Sequence, residues 1–230
     1  MQRLNRNIYF CFILLIVVIL FFQFTNIDEM VQNLFFNFKS NRWILDRNLE
    51  PYRFIFYDGI KKLLIFIGII FLISYFIPKF KNYKNSILII ILSSIIIPLS
   101  IGFLKKETNI PCPKNRIIYG GIYPKTKLWQ HYPSNFYHHK IKCWPAGHAS
   151  GGFTLMSLFI LFRKKRYKYL MLGIGIFVGW SLGLYKMLIG DHFLSHTIIT
   201  MLIAWLEILI IIKIVFTLNF YIKKRNGIIS

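Results

Sequence analysis

The sequence predicts an all-α integral membrane protein, a bundle of six transmembrane helices. Two observations carry that expectation. Apolar residues make up 56% of the chain and are gathered into blocks rather than spread evenly, whereas soluble domains sit nearer about 45–50%. Lys and Arg number 29 against 8 Asp and Glu, a net charge of +21, and they collect between the blocks. In a soluble chain that balance would suggest nucleic acid. Charge placed between apolar blocks fits membrane orientation and anionic headgroups instead, so no nucleic-acid partner is expected.

A span needs roughly 17–25 largely apolar residues. The first covers residues 8–24; no small-x-small cleavage site follows, so it reads as a retained helix. The second, 63–77, ends at Pro78, and the third is 86–104. The fourth, 149–162, is short and Gly-rich at its start. The fifth is 169–185 and the sixth 193–218. Orientation follows from basic residues in short flanks. Arg3 and Arg6, then Lys79, Lys81 and Lys84, then Arg163, Lys164, Lys165, Arg166 and Lys168, and finally Lys223, Lys224 and Arg225 all fall on one side if there are six spans. The expectation is a multi-pass protein of the bacterial inner membrane with both termini cytoplasmic.

Two long loops then face the other side. Residues 25–62 mix acids and bases, and the aromatic and charged pattern of 31–38 reads as an interfacial amphipathic segment. Residues 105–148 are strongly basic, with Glu107 the one acid. Tyr132-Pro-Ser-Asn and Gly120-Gly121 mark turns there. Cys112 and Cys143 both lie in this loop, which the topology puts in an oxidising compartment; a disulfide between them is expected. Cys11, inside the first apolar block, is expected to be inert.

All six histidines lie between positions 131 and 196. His148 and His192 are separated by one span going down and one coming back, so topology returns both to the same face. Lys105 and Lys186, at the outer ends of the third and fifth spans, join them. A basic, histidine-bearing pocket at headgroup level suits a phosphate. His192 and His196 are four apart, share a helix face, and one ring can orient the other. A neutral, oriented His is a competent nucleophile toward phosphorus. Gly147 allows close backbone approach at a helix start, where free N–H groups suit an oxyanion. For His196 the bland reading, a helix-packing polar residue, stands beside that of orienter. His131, His138 and His139 read as a solvated loop, and no metal site is expected. Glu207, inside the sixth span, reads as a packing residue before a functional one.

At these residues the chain resembles the membrane-bound type 2 phosphatidic acid phosphatase superfamily, with its motifs K-x6-R-P, P-S-G-H and S-R-x5-H-x3-D. The first corresponds to Lys105 and Pro113, with Cys112 in the Arg position. The second corresponds to Pro145, Gly147 and His148, with Ala146 for Ser. The third corresponds to His192, with Tyr185 and Lys186 for Ser-Arg and His196 for Asp. The chain is similar in particular to a bacterial branch with C-P, Y-G-G, P-A-G-H-A-S and H-F-L-S-H signatures, at Cys112, Tyr119, Pro145 and His192.

The resemblance implies a phosphatase-like core at 86–222, flanked by helices one and two with their interfacial loop at 1–85 and a basic tail at 223–230. It implies that His192 attacks phosphorus to form a phosphohistidine and His148 protonates the leaving oxygen. Lys105 and Lys186 would hold the phosphoryl oxygens, with no metal and no other cofactor. Cys112 cannot replace an Arg, so Lys114 and Arg116 are the candidates to reach in. Asp191 is a candidate to share with His196 the task of orienting the nucleophile. The crosslink to Cys143 would explain a Cys where the family has a phosphate-binding Arg. The substrate expected is a phosphate monoester or diphosphate on a membrane lipid, of the lipid A, undecaprenyl diphosphate or phosphatidate type, at the periplasmic face. The same intermediate would serve a lipid phosphotransferase. The reading outside enzymes is an inactive relative that binds lipid headgroups.

Overall fold

The computed structural model describes residues 1–130, 132, 141–162 and 164–226. His131, His138, His139, Arg163 and the turn residues after Tyr132 lie outside the described residues. The chain is an all-α membrane bundle. Five helical stretches are long and apolar enough to cross a bilayer: Gln2–Phe24, Phe54–Phe76, Pro78–Glu107, Lys165–Leu188 and Leu194–Arg225. A shorter apolar stretch, Gly147–Leu161, completes the set found among the described residues.

α1 (Gln2–Phe24) packs along α7 (Leu194–Arg225). Cys11 is buried there, its sulfur 3.6 Å from the Leu202 carbonyl oxygen. α3 (Ile60–Phe76) has no buried residue despite its apolar composition, which leaves an apolar face uncovered by the rest of the chain. It is preceded without a break by a π-helical turn, Phe54–Gly59. The second span therefore starts well before residue 63. Asp58, Lys61 and Lys62 lower the hydropathy at its mouth, but long basic side chains at a helix end can extend to water. α4 (Lys84–Glu107) and α7 meet across the core through Ile89, Ile97, Ile101, Ile203, Ala204 and Ile208.

α5 (Gly147–Thr154) continues as a 3-10 helix, Leu155–Leu161. It starts two residues before the span expected at 149–162 and is short for a full crossing. Its Phe153 and Met156 are fully buried, against α6 (Lys165–Leu188) and its neighbours. The glycines explain how close that packing is. A Cβ on Gly152 would lie 2.7 Å from the Gly179 Cα, and one on Gly175 would lie 2.3 Å from the Met156 backbone nitrogen. Small residues let the two backbones touch, as membrane helices do where apolar burial gives no drive of its own.

The first long loop is folded onto the bundle. It forms α2 (Ile27–Asn33) and a small hairpin, β1 (Phe36–Asn37) with antiparallel β2 (Arg42–Trp43). Phe36 and Trp43 pack on Tyr119 and Phe193. Aromatic side chains that find protein partners have no need of the bilayer surface. Gln32, fully buried, donates from Nε2 to the Met187 carbonyl at 2.9 Å. The loop is thus fastened over the C-terminal end of α6 and the N-terminal end of α7.

Candidate active site

Four segments converge at one end of the bundle. Lys105 sits in the last turn of α4 and Lys186 in the last turn of α6. His148 is the second residue of α5. His192 lies in the turn between α6 and α7, which Gly190 enters at φ +73°, a left-handed conformation that side chains resist. That turn is closed by the Asp191 and His192 amides, which donate to the Lys186 carbonyl at 2.8 and 3.2 Å. The start of α5 is tied to α7 by the Ala146 amide, which donates to Thr200 Oγ1 at 2.8 Å.

A disulfide joins Cys112 to Cys143, with Cα atoms 5.2 Å apart. It pins the two ends of the basic loop beside the histidines, since Cys143 Sγ is 3.7 Å from His192 Nδ1. The same Nδ1 lies 3.3 Å from His196 Nδ1. His192 is 4% exposed and His196 2%. With Nδ1 occupied on that side, Nε2 is the His192 nitrogen left to face the cavity. Burial pushes the His192 ring well below its ordinary pKa, and His196, Lys105, Lys186 and His148 push the same way. The ring is therefore neutral near pH 7.

His192 and the disulfide line a cavity of about 440 Å³. Lys105, Lys114, Lys186, His148 and His192 all line it. Lys105 reaches toward Gly147, where a Cβ would lie 3.6 Å from its Nζ. His196 stands behind His192 and does not line the cavity, consistent with an orienting position.

Two expectations are corrected. Arg116 does not reach the cavity; its guanidinium donates to Glu29 at 2.8 Å and lies over the Phe193 ring. A buried guanidinium goes to the carboxylate that neutralises it. Asp191 does not hold the His192 ring. Its carboxylate accepts from Lys186 on Oδ2 and from Lys114 on Oδ1, each at 2.9 Å, and Arg47 joins them on Oδ1. Burial opposes its ionisation, but Lys186 and Lys114 outweigh that and hold the carboxyl below its ordinary pKa.

The first loop contributes residues that motif reading missed. Arg47, Asn48, Arg53 and Tyr57 line the cavity. Tyr57 stacks on His148 with ring centroids 4.4 Å apart, and Lys186 Nζ is 4.5 Å from the same tyrosine ring. Asp28 accepts from the Ser195 amide at 2.8 Å, a carboxylate cap on the first turn of α7 that helps place His196. The signal that could have pointed to this loop is Cys112: a phosphate site without its guanidinium must find one elsewhere.

Among the described residues, Cys143, His192 and His196 are the one group whose ligand-type atoms approach closely enough for a metal, within 4.8 Å. Cys143 is spent in the disulfide, so that sulfur is not a thiolate ligand.

The fold and the cavity together define a class, a multi-pass membrane protein with a buried histidine pair under a ring of cations. The family model of the PAP2 superfamily matches residues 83–220, and the chain belongs to that superfamily. The matched region runs from the start of α4 through most of α7 and contains Lys105, His148, Lys186 and His192. The superfamily points to phosphatase or phosphotransferase chemistry on phosphate esters. Neither a curated protein nor a solved structure matches the chain.

Proposed function

We propose that this protein removes a phosphate from a membrane lipid through a phosphohistidine on His192. The observation that carries the reading is a pair of adjoining cavities of opposite character. The cationic one has been described. The other, about 540 Å³, lies between α3, α4 and α5 and is lined by Leu64, Ile65, Ile69, Leu72, Ile91 and Ile95 among others. Both include Tyr57 and His148 in their walls. A molecule with an anionic head and an apolar tail fits across that shared wall, and the tail would lie where lipid reaches α3.

His192 Nε2 attacks phosphorus while the bond from phosphorus to the lipid oxygen breaks. His148 gives that oxygen its proton. Water then attacks the phosphohistidine, the N–P bond breaks, and His148 takes the proton from water. The bound phosphate dianion favours the protonated form of His148. His196 holds His192 in the tautomer with hydrogen on Nδ1, accepting it on its own Nδ1. Lys105 and Lys186 bear the charge that develops on the phosphoryl oxygens. An acceptor lipid in place of water would make the same intermediate serve a phosphotransferase.

The test is phosphate release from a panel of lipid A, prenyl diphosphate and phosphatidate substrates by the purified protein in detergent, with and without chelator. Release should survive EDTA. Among the described residues the one carboxylate lining the cavity, Asp191, is already engaged by three cations, whereas hard cations want about six or more oxygen ligands. Activity lost to EDTA and restored by Mg²⁺ would refute the metal-free route.

The groove makes its own prediction. Gly68 lines it, and a Cβ there would meet nothing within 4 Å. Gly68→Trp should therefore fold and fill the groove. KM for a long-chain lipid phosphate should rise about ten-fold or more, as expected for losing the burial of a few methylenes, while p-nitrophenyl phosphate is handled as before. An unchanged KM for the lipid would remove the groove from the site.

The cavity is further proposed to face the periplasm of a bacterial inner membrane, with both termini cytoplasmic. Reporter fusions after Lys127 and after Lys165 should report opposite sides. The same side for both would remove the short Gly147–Leu161 crossing.

A further inference from the structure

We infer that reduction of the Cys112–Cys143 disulfide opens a zinc site made by Cys143, His192 and His196, and that zinc bound there silences the nucleophile. The site stands on geometry; its effect on turnover rests on the phosphatase reading above. Cys143 Sγ is 3.7 Å from His192 Nδ1, and His192 Nδ1 is 3.3 Å from His196 Nδ1. Zinc binds sulfur at about 2.3 Å and imidazole nitrogen at about 2.0–2.1 Å, in a tetrahedral array. Those lengths put S and N about 3.6 Å apart and two N about 3.3–3.4 Å apart. Both separations in the structure match. The ligand atoms of all three residues lie within 4.8 Å of one another, and a sulfur released from its bond can turn about Cα–Cβ to close the remaining side.

The cluster does not depend on the disulfide for its shape. Thr108 Oγ1 donates to the Trp144 carbonyl at 2.6 Å, and the Ala146 amide donates to Thr200 Oγ1 at 2.8 Å. These bonds tie the segment after Cys143 to the end of α4 and to α7. The His192 amide is held separately by the Lys186 carbonyl. All three ligand residues are buried. Cys143 and His192 also line the cationic cavity, which gives a metal ion its way in. Cys112 lines the same cavity, and its freed thiol or a water fills the fourth place. Lys105 and Lys186, on that cavity, oppose a divalent ion. A thiolate offsets them, and only the reduced protein has one.

A dithiol reductant supplies two electrons and two protons. It becomes a disulfide, and Cys112 and Cys143 become thiols. On binding, the Cys143 thiol gives its proton to water and its sulfur bonds the metal as a thiolate. His192 and His196 each give the metal the Nδ1 lone pair, so each neutral ring carries its hydrogen on Nε2. Nε2 of His192 is the atom that attacks phosphorus, and with hydrogen on it no pair is left for the attack. A disulfide oxidant takes the two electrons back and becomes a dithiol; the Cys112–Cys143 bond re-forms, the thiolate is gone and the metal leaves. The oxidised chain is therefore the active one.

The test uses the full-length protein in detergent, without a histidine tag, and Co²⁺ as the spectroscopic probe for the zinc site. Cys112→Ser keeps Cys143 as a thiol without reductant. It should bind Co²⁺ with the absorption of a tetrahedral thiolate–cobalt centre, and so should the unaltered protein after reduction. The oxidised protein, Cys112→Ser/Cys143→Ser and Cys112→Ser/His196→Gln should lack that band. Zn²⁺ should lower phosphate release by the reduced protein about ten-fold or more, as blocking a nucleophile does. EDTA should restore it, and the oxidised protein should be indifferent to both. Absence of the band from Cys112→Ser and from the reduced unaltered protein overturns the site and leaves the phosphatase reading intact. A band that persists in Cys112→Ser/His196→Gln also overturns it, as does bound zinc with unchanged release. If no form releases phosphate from any lipid, the phosphatase reading falls, while the cobalt spectrum still decides the site.

Discussion

His192→Ala should abolish phosphate release, lowering kcat by roughly 10⁴–10⁶-fold, as losing a catalytic nucleophile does. His148→Ala should cost less, about 10²–10⁴-fold, the usual worth of a general acid. The ordering follows from the assigned roles. His192 lines the cavity with Nδ1 held against His196 at 3.3 Å, which leaves Nε2 for the attack. The role of His148 can be partly taken by water. Trapping after acid-free quench should find phosphate on the unaltered protein and none on His192→Ala. Near-full activity in His192→Ala would end the mechanism.

The same residue sets a pH dependence of stability. The unfolded chain protonates His192 near its ordinary 6.5, while the folded chain holds it well below that value, chiefly through burial. Below about pH 6.5 the unfolded state therefore binds more protons, and stability falls as pH falls. His192→Gln, which cannot titrate, should lessen the fall in melting temperature between pH 6.5 and about pH 5. A slope equal to that of the unaltered protein would mean that other groups set the acid limit.

Gly175→Val should damage the protein from a site remote from the chemistry. A Cβ at Gly175 would lie 2.3 Å from the Met156 nitrogen and 2.6 Å from the Leu155 carbonyl carbon. Both are backbone atoms, which cannot rotate aside. Non-bonded carbon contacts settle at about 3.5–4.0 Å, so α6 and the 3-10 continuation of α5 must part by about an ångström. Overpacking of this kind costs about 1–3 kcal/mol. The larger effect is on catalysis, because α5 carries His148 and α6 ends at Lys186 and the His192 turn. Misplacement by about an ångström can cost roughly 10²-fold in rate. Gly173→Val is the control, since a Cβ there meets nothing within 4 Å, and both melting temperature and kcat should hold. Equal losses at Gly173 and Gly175 would show that glycine flexibility, not close packing, matters in α6.

Much of this protein is written locally in its sequence. Hydropathy marks helices because a backbone in lipid must satisfy its own hydrogen bonds, so an apolar block has one structural choice. Helix starts and ends then bring Lys105, His148, Lys186 and His192 to one end by counting crossings alone. The second span resisted the count at its mouth, because Asp58, Lys61 and Lys62 read as polar loop although the helix runs through them. The fourth is legible as apolar but not as 3-10 beyond Thr154, a winding set by its contact with α6.

What only tertiary structure decided is the use of the first loop and the choice among neighbouring basic residues. Lys114 and Arg116 are two positions apart and equally plausible in sequence. The 3-10 turn Pro113–Asn115 sends Lys114 to Asp191, and Glu29, nearly ninety residues earlier, captures Arg116. Arg47, Arg53 and Tyr57 belong to no motif. They reach the cavity because Gln32 grips Met187, Asp28 caps α7, and Trp43 lies where any Cβ on Gly190 would strike it at 2.3 Å. Spans are set by the solvent each residue must live in, which composition records. A loop is placed by a few contacts between residues far apart in the chain, and each such contact is a property of the pair rather than of either residue.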